Sequence, residues 1–237
     1  MLRLSLDKKA PSTLRILCLG AHCDDIEIGC GGTILRLLES YRGTEVLWVV
    51  FSSGPQRARE AARCAKAFLQ KAGKRKIVIK AFRDGFFPYN GGRIKDYFET
   101  LKPVYSPDLI LTHYRHDLHQ DHRVISELTW NTFRDHLILE YEVPKYDGDL
   151  GSPNFFVPLE EQICARKLQY IFGAYKSQRT KHWFTEDLFR GIMRIRGIES
   201  SSQMPFAEGF YSRKLALSDS LGGLRQVFGE DGPQRTK

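Results

Sequence analysis

Two short segments concentrate residues that could do chemistry: Ala21-His22-Cys23-Asp24-Asp25 and, about a hundred residues later, His119-Gln120-Asp121-His122. His22 and Asp25 are three apart, and on a tight turn both can face one ion. His122 can add a third ligand from the second segment. Two imidazoles and a carboxylate, with water in the remaining position, make an open zinc site. The same nitrogen and oxygen donors would accept Fe(II). Asp24, beside two of these ligands, is placed to act as a base on water whose pKa the metal has lowered. His119 could stabilise an oxyanion or protonate a leaving group. Asp121 could hydrogen-bond a histidine and fix its tautomer. The plain reading of Asp24-Asp25 is a helix cap. His113, His116, His136 and His182 read as loop or surface histidines.

Such a site needs a scaffold that brings the two segments together. Residues 15–20, 45–51, 76–82 and 108–112 read as buried strands. Helices are expected from Thr33, over 57–72, over 94–105 and over 122–139, with residues 29–32 forming a glycine-rich turn before the first. Strands alternating with helices at this spacing predict an α/β fold, a Rossmann-like three-layer sandwich around a mostly parallel sheet. Ligands of such folds gather at the carboxyl ends of the strands, and both segments follow a predicted strand. Further on, 155–158 is expected as an edge strand, 158–172 and 185–196 as helices, and 206–217 as a return to the sheet edge. One domain over 1–217 is expected, with a loosely held first dozen residues and a polar, mobile tail over 218–237.

At 237 residues, one sizeable core is expected. The five cysteines lack disulfide-scaffold spacing; Cys18, Cys30, Cys64 and Cys164 read as buried thiols, which fits a reducing compartment. No signal-peptide pattern and no apolar run near the roughly 20 residues of a membrane span are visible, so a cytoplasmic protein is expected. The net charge of +8 favours an anionic small molecule or a generally basic surface over nucleic acid. A phosphate-bearing or lipid-linked sugar would suit a basic rim. A homo-oligomer is compatible with the sequence.

The run Gly20-Ala-His-Cys-Asp-Asp-Ile-Glu-Ile-Gly-Cys-Gly-Gly-Thr33 with His119-Gln-Asp-His-Arg123 resembles the PIG-L/LmbE family of metal-dependent N-deacetylases over residues 14–217. The resemblance implies a Rossmann-like fold, a zinc ion and hydrolysis of an N-acyl group, most often acetyl from an N-acetylglucosamine unit. It assigns His22, Asp25 and His122 as ligands, Asp24 as base and His119 as acid or oxyanion partner. Cys23 departs from the family's usual proline and is expected to point away from the metal. Arg57, Arg83, Asp84 and Asp117 follow strand ends and are candidate substrate contacts. Two other readings compete. One is a nucleotide or S-adenosylmethionine binder cradling its ligand on Gly29–Gly32, and the other is a non-catalytic carbohydrate or nucleic-acid module.

Overall fold

A computed structural model describes residues 13–216. The expected loose N-terminal dozen and the expected tail over 218–237 lie outside the described residues. Five strands run parallel: β1 (Arg15–Gly20), β2 (Glu45–Val50), β3 (Lys74–Ile79), β4 (Leu109–His113) and β5 (Leu137–Tyr141). Two antiparallel strands, β6 (Phe155–Leu159) and β7 (Phe206–Tyr211), extend the sheet past β5. The order is β3-β2-β1-β4-β5-β7-β6.

Strand β1 shows why its sequence is a continuous apolar run. Ile16 and Cys18 pack into one core while Leu17 and Leu19 pack into the other, so both faces are buried. One layer contains α1 (Asp25–Ser40), α2 (Pro55–Phe68), α5 (Glu161–Ala174) and α6 (Glu186–Glu199); α3 (Gly91–Leu101) and α4 (Gln120–Thr132) form the other. This is the three-layer α/β sandwich the sequence predicts. No helix among the described residues is long and apolar enough to cross a membrane.

Three expectations are corrected. The helix predicted over 122–139 ends at Thr132, and 137–141 is β5. There Ile138 and Leu139 face opposite cores, and an apolar run that short fits either periodicity. The strand at 206–211 is not at the edge, because it pairs with β5 on one side and β6 on the other. The glycines at 29–32 form no turn: they lie buried inside α1. A Cβ at Gly29 would stand 2.2 Å from the Tyr141 ring, at Gly31 2.6 Å from Phe68 and at Gly32 2.5 Å from Leu159. These residues let the helix approach its neighbours closely, and side chains fill the space a cradled cofactor would need.

Helix α1 kinks at Cys30 (φ −144°, ψ 15°), which frees backbone groups that need new partners. The Glu208 carboxylate accepts from the N–H groups of Gly32 and Thr33 at 2.7 and 2.6 Å. Lys167 Nζ donates to the Ile28 carbonyl at 2.6 Å and to Glu208 at 2.7 Å. The kink thus has a buried, charge-paired brace from α5 and β7.

Candidate metal centre

Strand β1 is flanked by β2 on one side and β4 on the other, so the chain's direction of winding reverses between β1 and β4. The crevice at such a switch point is where open α/β sheets bind ligands. The turn after β1 delivers His22, Asp24 and Asp25; the loop after β4 and the first turn of α4 deliver Asp117, His119, Asp121 and His122.

Three donor atoms converge there. His22 Nδ1 lies 3.1 Å from His122 Nε2 and 3.4 Å from Asp25 Oδ2, and His122 Nε2 lies 3.6 Å from the same oxygen. Ligand atoms about 2.0–2.1 Å from a tetrahedral zinc stand roughly 3.4 Å apart, so the spacing suits one small cation. The partners on the far side of each ring set the tautomers. His122 Nδ1 meets the buried Asp117 Oδ2 at 2.8 Å, so its proton sits there and Nε2 presents a lone pair. His22 Nε2 donates to Asp84 at 3.0 Å and Asp121 at 3.3 Å, so Nδ1 is the ring nitrogen that would give up its proton to a cation. Two ring nitrogens and a carboxylate oxygen therefore face one point.

The electrostatics agree. Burial opposes charge on His22, but Asp25, Asp121 and Asp84 outweigh it and raise its pKa well above the ordinary value. Burial likewise opposes charge on Asp25, yet the facing histidines hold it well below the carboxylate range. Burial, with His113 alongside, pushes His122 down to about 3 and keeps it neutral. The pocket favours positive charge at its centre while leaving a neutral imidazole to donate to it.

Asp24 stands apart from the donor triad. Its Oδ1 is 2.6 Å from Arg57 Nη2, and its buried Oδ2 has no partner. Burial raises its pKa, and the Arg57 charge works against that rise. His119 caps α4, with Nδ1 accepting from the Asp121 N–H at 3.2 Å; its proton then resides on Nε2. Its ring stacks on His122 with centroids 4.6 Å apart. Burial, then the His22 charge, lowers its pKa.

The remaining expectations divide. Asp121 meets His22 at 3.3 Å and also accepts from the N–H groups of Gly85 and Phe87 at 2.7 and 3.0 Å. Asp117, expected at the substrate, is instead buried beneath His122, with its other oxygen accepting from the His119 N–H at 2.8 Å. Arg57 is held by Asp24 rather than free. It lines a cavity of about 270 Å³ with Cys23, Ser53, Arg83 and Asp84. The Cys23 thiol turns toward the Ser52 carbonyl at 3.4 Å, and burial pushes it up to about 12. Among the described residues, no candidate metal group includes a cysteine.

His113 was expected on a loop or surface and lies fully buried at the end of β4. Its Nε2 is 3.1 Å from Asp25 Oδ2 and 2.9 Å from the Ala21 N–H, and its ring stacks on His122 at 3.9 Å. The sequence signal was its place as the last residue of a buried strand beside the switch point. Tyr175 was also unassigned. Its hydroxyl donates to Glu27 Oε1 at 2.7 Å and bonds the Cys23 carbonyl, clamping the turn that carries Asp24 and Asp25.

Solved structures with this fold do not share one reaction. N,N'-diacetylchitobiose deacetylase from Pyrococcus horikoshii is 22% identical and superposes with a TM-score of 0.66, over 84% of this chain and 83% of that one. A 4-carboxy-2-hydroxymuconate hydratase from Pseudomonas putida is 16% identical with a TM-score of 0.66, over 88% of this chain and 100% of that one. A teicoplanin deacetylase in a zinc-inhibited form is 14% identical with a TM-score of 0.64, over 84% and 97%. At these identities the likeness establishes the fold, and the fold alone leaves the reaction open. Residues 17–133 match the family described as PIG-L: GlcNAc-PI de-N-acetylase. That segment holds both loops of the donor cluster, and over it the chain matches the PIG-L family.

Proposed function

We propose that this protein is a metal-dependent hydrolase that removes an N-acetyl group from an amino-sugar compound, releasing acetate and a free amine. The observation that carries the reading is the convergence of His22 Nδ1, Asp25 Oδ2 and His122 Nε2 beside a buried carboxylate with one unpartnered oxygen, Asp24 Oδ2. The family description and the two deacetylases of like fold support the choice of an amide substrate.

His22, Asp25 and His122 would hold the ion, zinc or Fe(II). Such an ion supplies a Lewis acid for the amide carbonyl and lowers the pKa of attacking water. The rest falls to the chain's own groups. Asp24 Oδ2 takes the proton as water adds to the carbonyl carbon, while Arg57 fixes the carboxylate through Oδ1. His119 presents an Nε2–H, kept neutral by burial, that can stabilise the developing oxyanion; the departing nitrogen takes the proton that Asp24 accepted as the C–N bond breaks. Asp117 and Asp121 hold the two ligand histidines in their tautomers. Arg83 and Asp84, which line the cavity beside Cys23, would meet the sugar.

Acetate release from a panel of N-acetylglucosamine derivatives, measured with bound-metal content, tests this reading. Asp24→Asn should keep its metal and lose at least about 100-fold in kcat, the scale of a lost general base. His122→Ala should lose metal and turnover together. Near-normal turnover in Asp24→Asn removes the proposed base, and metal-loaded wild type that releases no acetate from any substrate removes the deacetylase reading.

A further inference from the structure

A groove of about 850 Å³ runs between the loop after β4, the outer face of α4 and the chain just beyond β7. It shares no residue with the cavity beside Cys23. Five cations line it: Arg115, Arg123, Arg134, Arg213 and Lys214, opposed by one lining carboxylate, Glu127. Trp130 is a platform for two of them. Arg213 Cζ stands 4.2 Å and Lys214 Nζ 5.5 Å from its ring centroid, which gathers two of the charges on one surface. Glu140 holds the indole N–H at 2.5 Å and so fixes the platform. It also lies 3.8 Å from Arg213, which offsets part of the groove's positive charge.

A second feature of the groove is independent of its charge. Ser126 lines the groove yet is wholly buried, and its hydroxyl has no partner. A buried hydroxyl without a partner carries a desolvation cost that a ligand oxygen would relieve. Several guanidinium groups lining one groove with an unpaired hydroxyl suit a tetrahedral oxyanion with many acceptor positions.

We propose that this groove binds a phosphate monoester group. It sits next to the chemistry: Arg123 Nη1 donates to the carbonyls of Asp117 and Leu118 at 3.1 and 2.6 Å, in the loop that delivers His119. The phosphate belongs either to the substrate itself or to a separate small molecule. The first alternative rests on the deacetylase reading, and the second does not.

Calorimetric titration with glycerol 3-phosphate at low ionic strength tests the site without turnover. Wild type should bind, and His122→Ala should bind as well, since His122 does not line the groove. The double variant Arg115→Ser with Arg134→Ser, both at exposed positions, should bind about tenfold more weakly or worse. Ser126→Ala should weaken binding with its thermal midpoint retained. Absence of binding to wild type, an unchanged affinity in the double variant, or binding that vanishes in His122→Ala would each overturn the proposal. The two sources separate by KM. A lower KM for N-acetylglucosamine 1-phosphate than for N-acetylglucosamine, erased in the double variant, assigns the phosphate to the substrate. Equal KM values with calorimetric binding intact assign it to a separate ligand. If no acetate is released from either compound, the deacetylase reading fails while the calorimetry still decides the groove.

Discussion

Asp117 tests the argument about tautomers, because sequence and structure assign it different jobs. Both its oxygens are used: Oδ1 accepts from the His119 N–H at 2.8 Å and Oδ2 from His122 Nδ1 at 2.8 Å. Asn in its place has the same shape but one acceptor, so its amide NH₂ must face one of those two donors. Lys145, 3.0 Å from Asp117, keeps Asp149 at 2.5 Å and is not stranded by the change. The cost therefore falls on the loop and on His122, whose Nδ1–H loses a charged acceptor or flips its proton toward the donor cluster. Loss of such an outer partner typically weakens metal affinity about 10- to 100-fold, or roughly 1.4–2.7 kcal/mol. Zinc affinity of Asp117→Asn, measured by competition with a chromophoric chelator, should fall by that factor in a protein whose circular dichroism is unchanged. If Asp117 touched substrate instead, KM would rise and zinc affinity would stay. A folded Asp117→Asn with wild-type zinc affinity refutes the tautomer argument.

Two further predictions concern stability. Gly29→Ala drives a methyl into the Tyr141 ring and should cost about 1–3 kcal/mol in urea unfolding, whereas Gly191→Ala in α6, with open space at its Cβ, should gain up to about 1 kcal/mol; equal effects would contradict the packing role of the α1 glycines. Glu39 accepts from Arg166 at 2.5 Å and Lys71 at 2.7 Å, and these bonds hold its carboxyl below the ordinary value of 4.5. A depressed carboxyl stabilises the fold above its unfolded value, and that contribution is lost as pH falls through the folded one. The site is largely open to solvent, so Glu39→Gln should cost at most about 0.5–1 kcal/mol at pH 7, shrinking toward zero below pH 4.5; a cost independent of pH would refute the linkage.

What was legible in the sequence was local. The bounds of β1 follow from an apolar run ended by glycine, and the donors His22, Asp25 and His122 follow from spacing plus the expectation that strand ends meet. What was not legible depended on partners distant along the chain. His113 looks like any lone histidine until β4 is laid beside β1, which puts it against Ala21 and Asp25. Asp117 and Asp121 are both acids near a histidine, and only the path of the loop decides which ring each one meets. The glycines at 29–32 carry the composition of a turn. Their place inside a helix follows from Tyr141, Phe68 and Leu159, none of them adjacent in sequence.

The brace on α1 bears on where the functional unit ends. The segment that matches the family stops at residue 133, and all of the converging donors lie within it. Yet the kink at Cys30 leaves the Ile28 carbonyl and the Gly32 and Thr33 N–H groups to be satisfied by Lys167 and Glu208. The turn bearing Asp24 and Asp25 is likewise clamped by Tyr175. All three residues come from beyond 133. Without them a buried helix that begins at Asp25 would keep unpaired backbone groups, each costing about 1–3 kcal/mol, one to two turns from the donor oxygen. The later elements therefore contribute no donor atom to the cluster and still determine whether Asp25 is held where His22 and His122 can meet it.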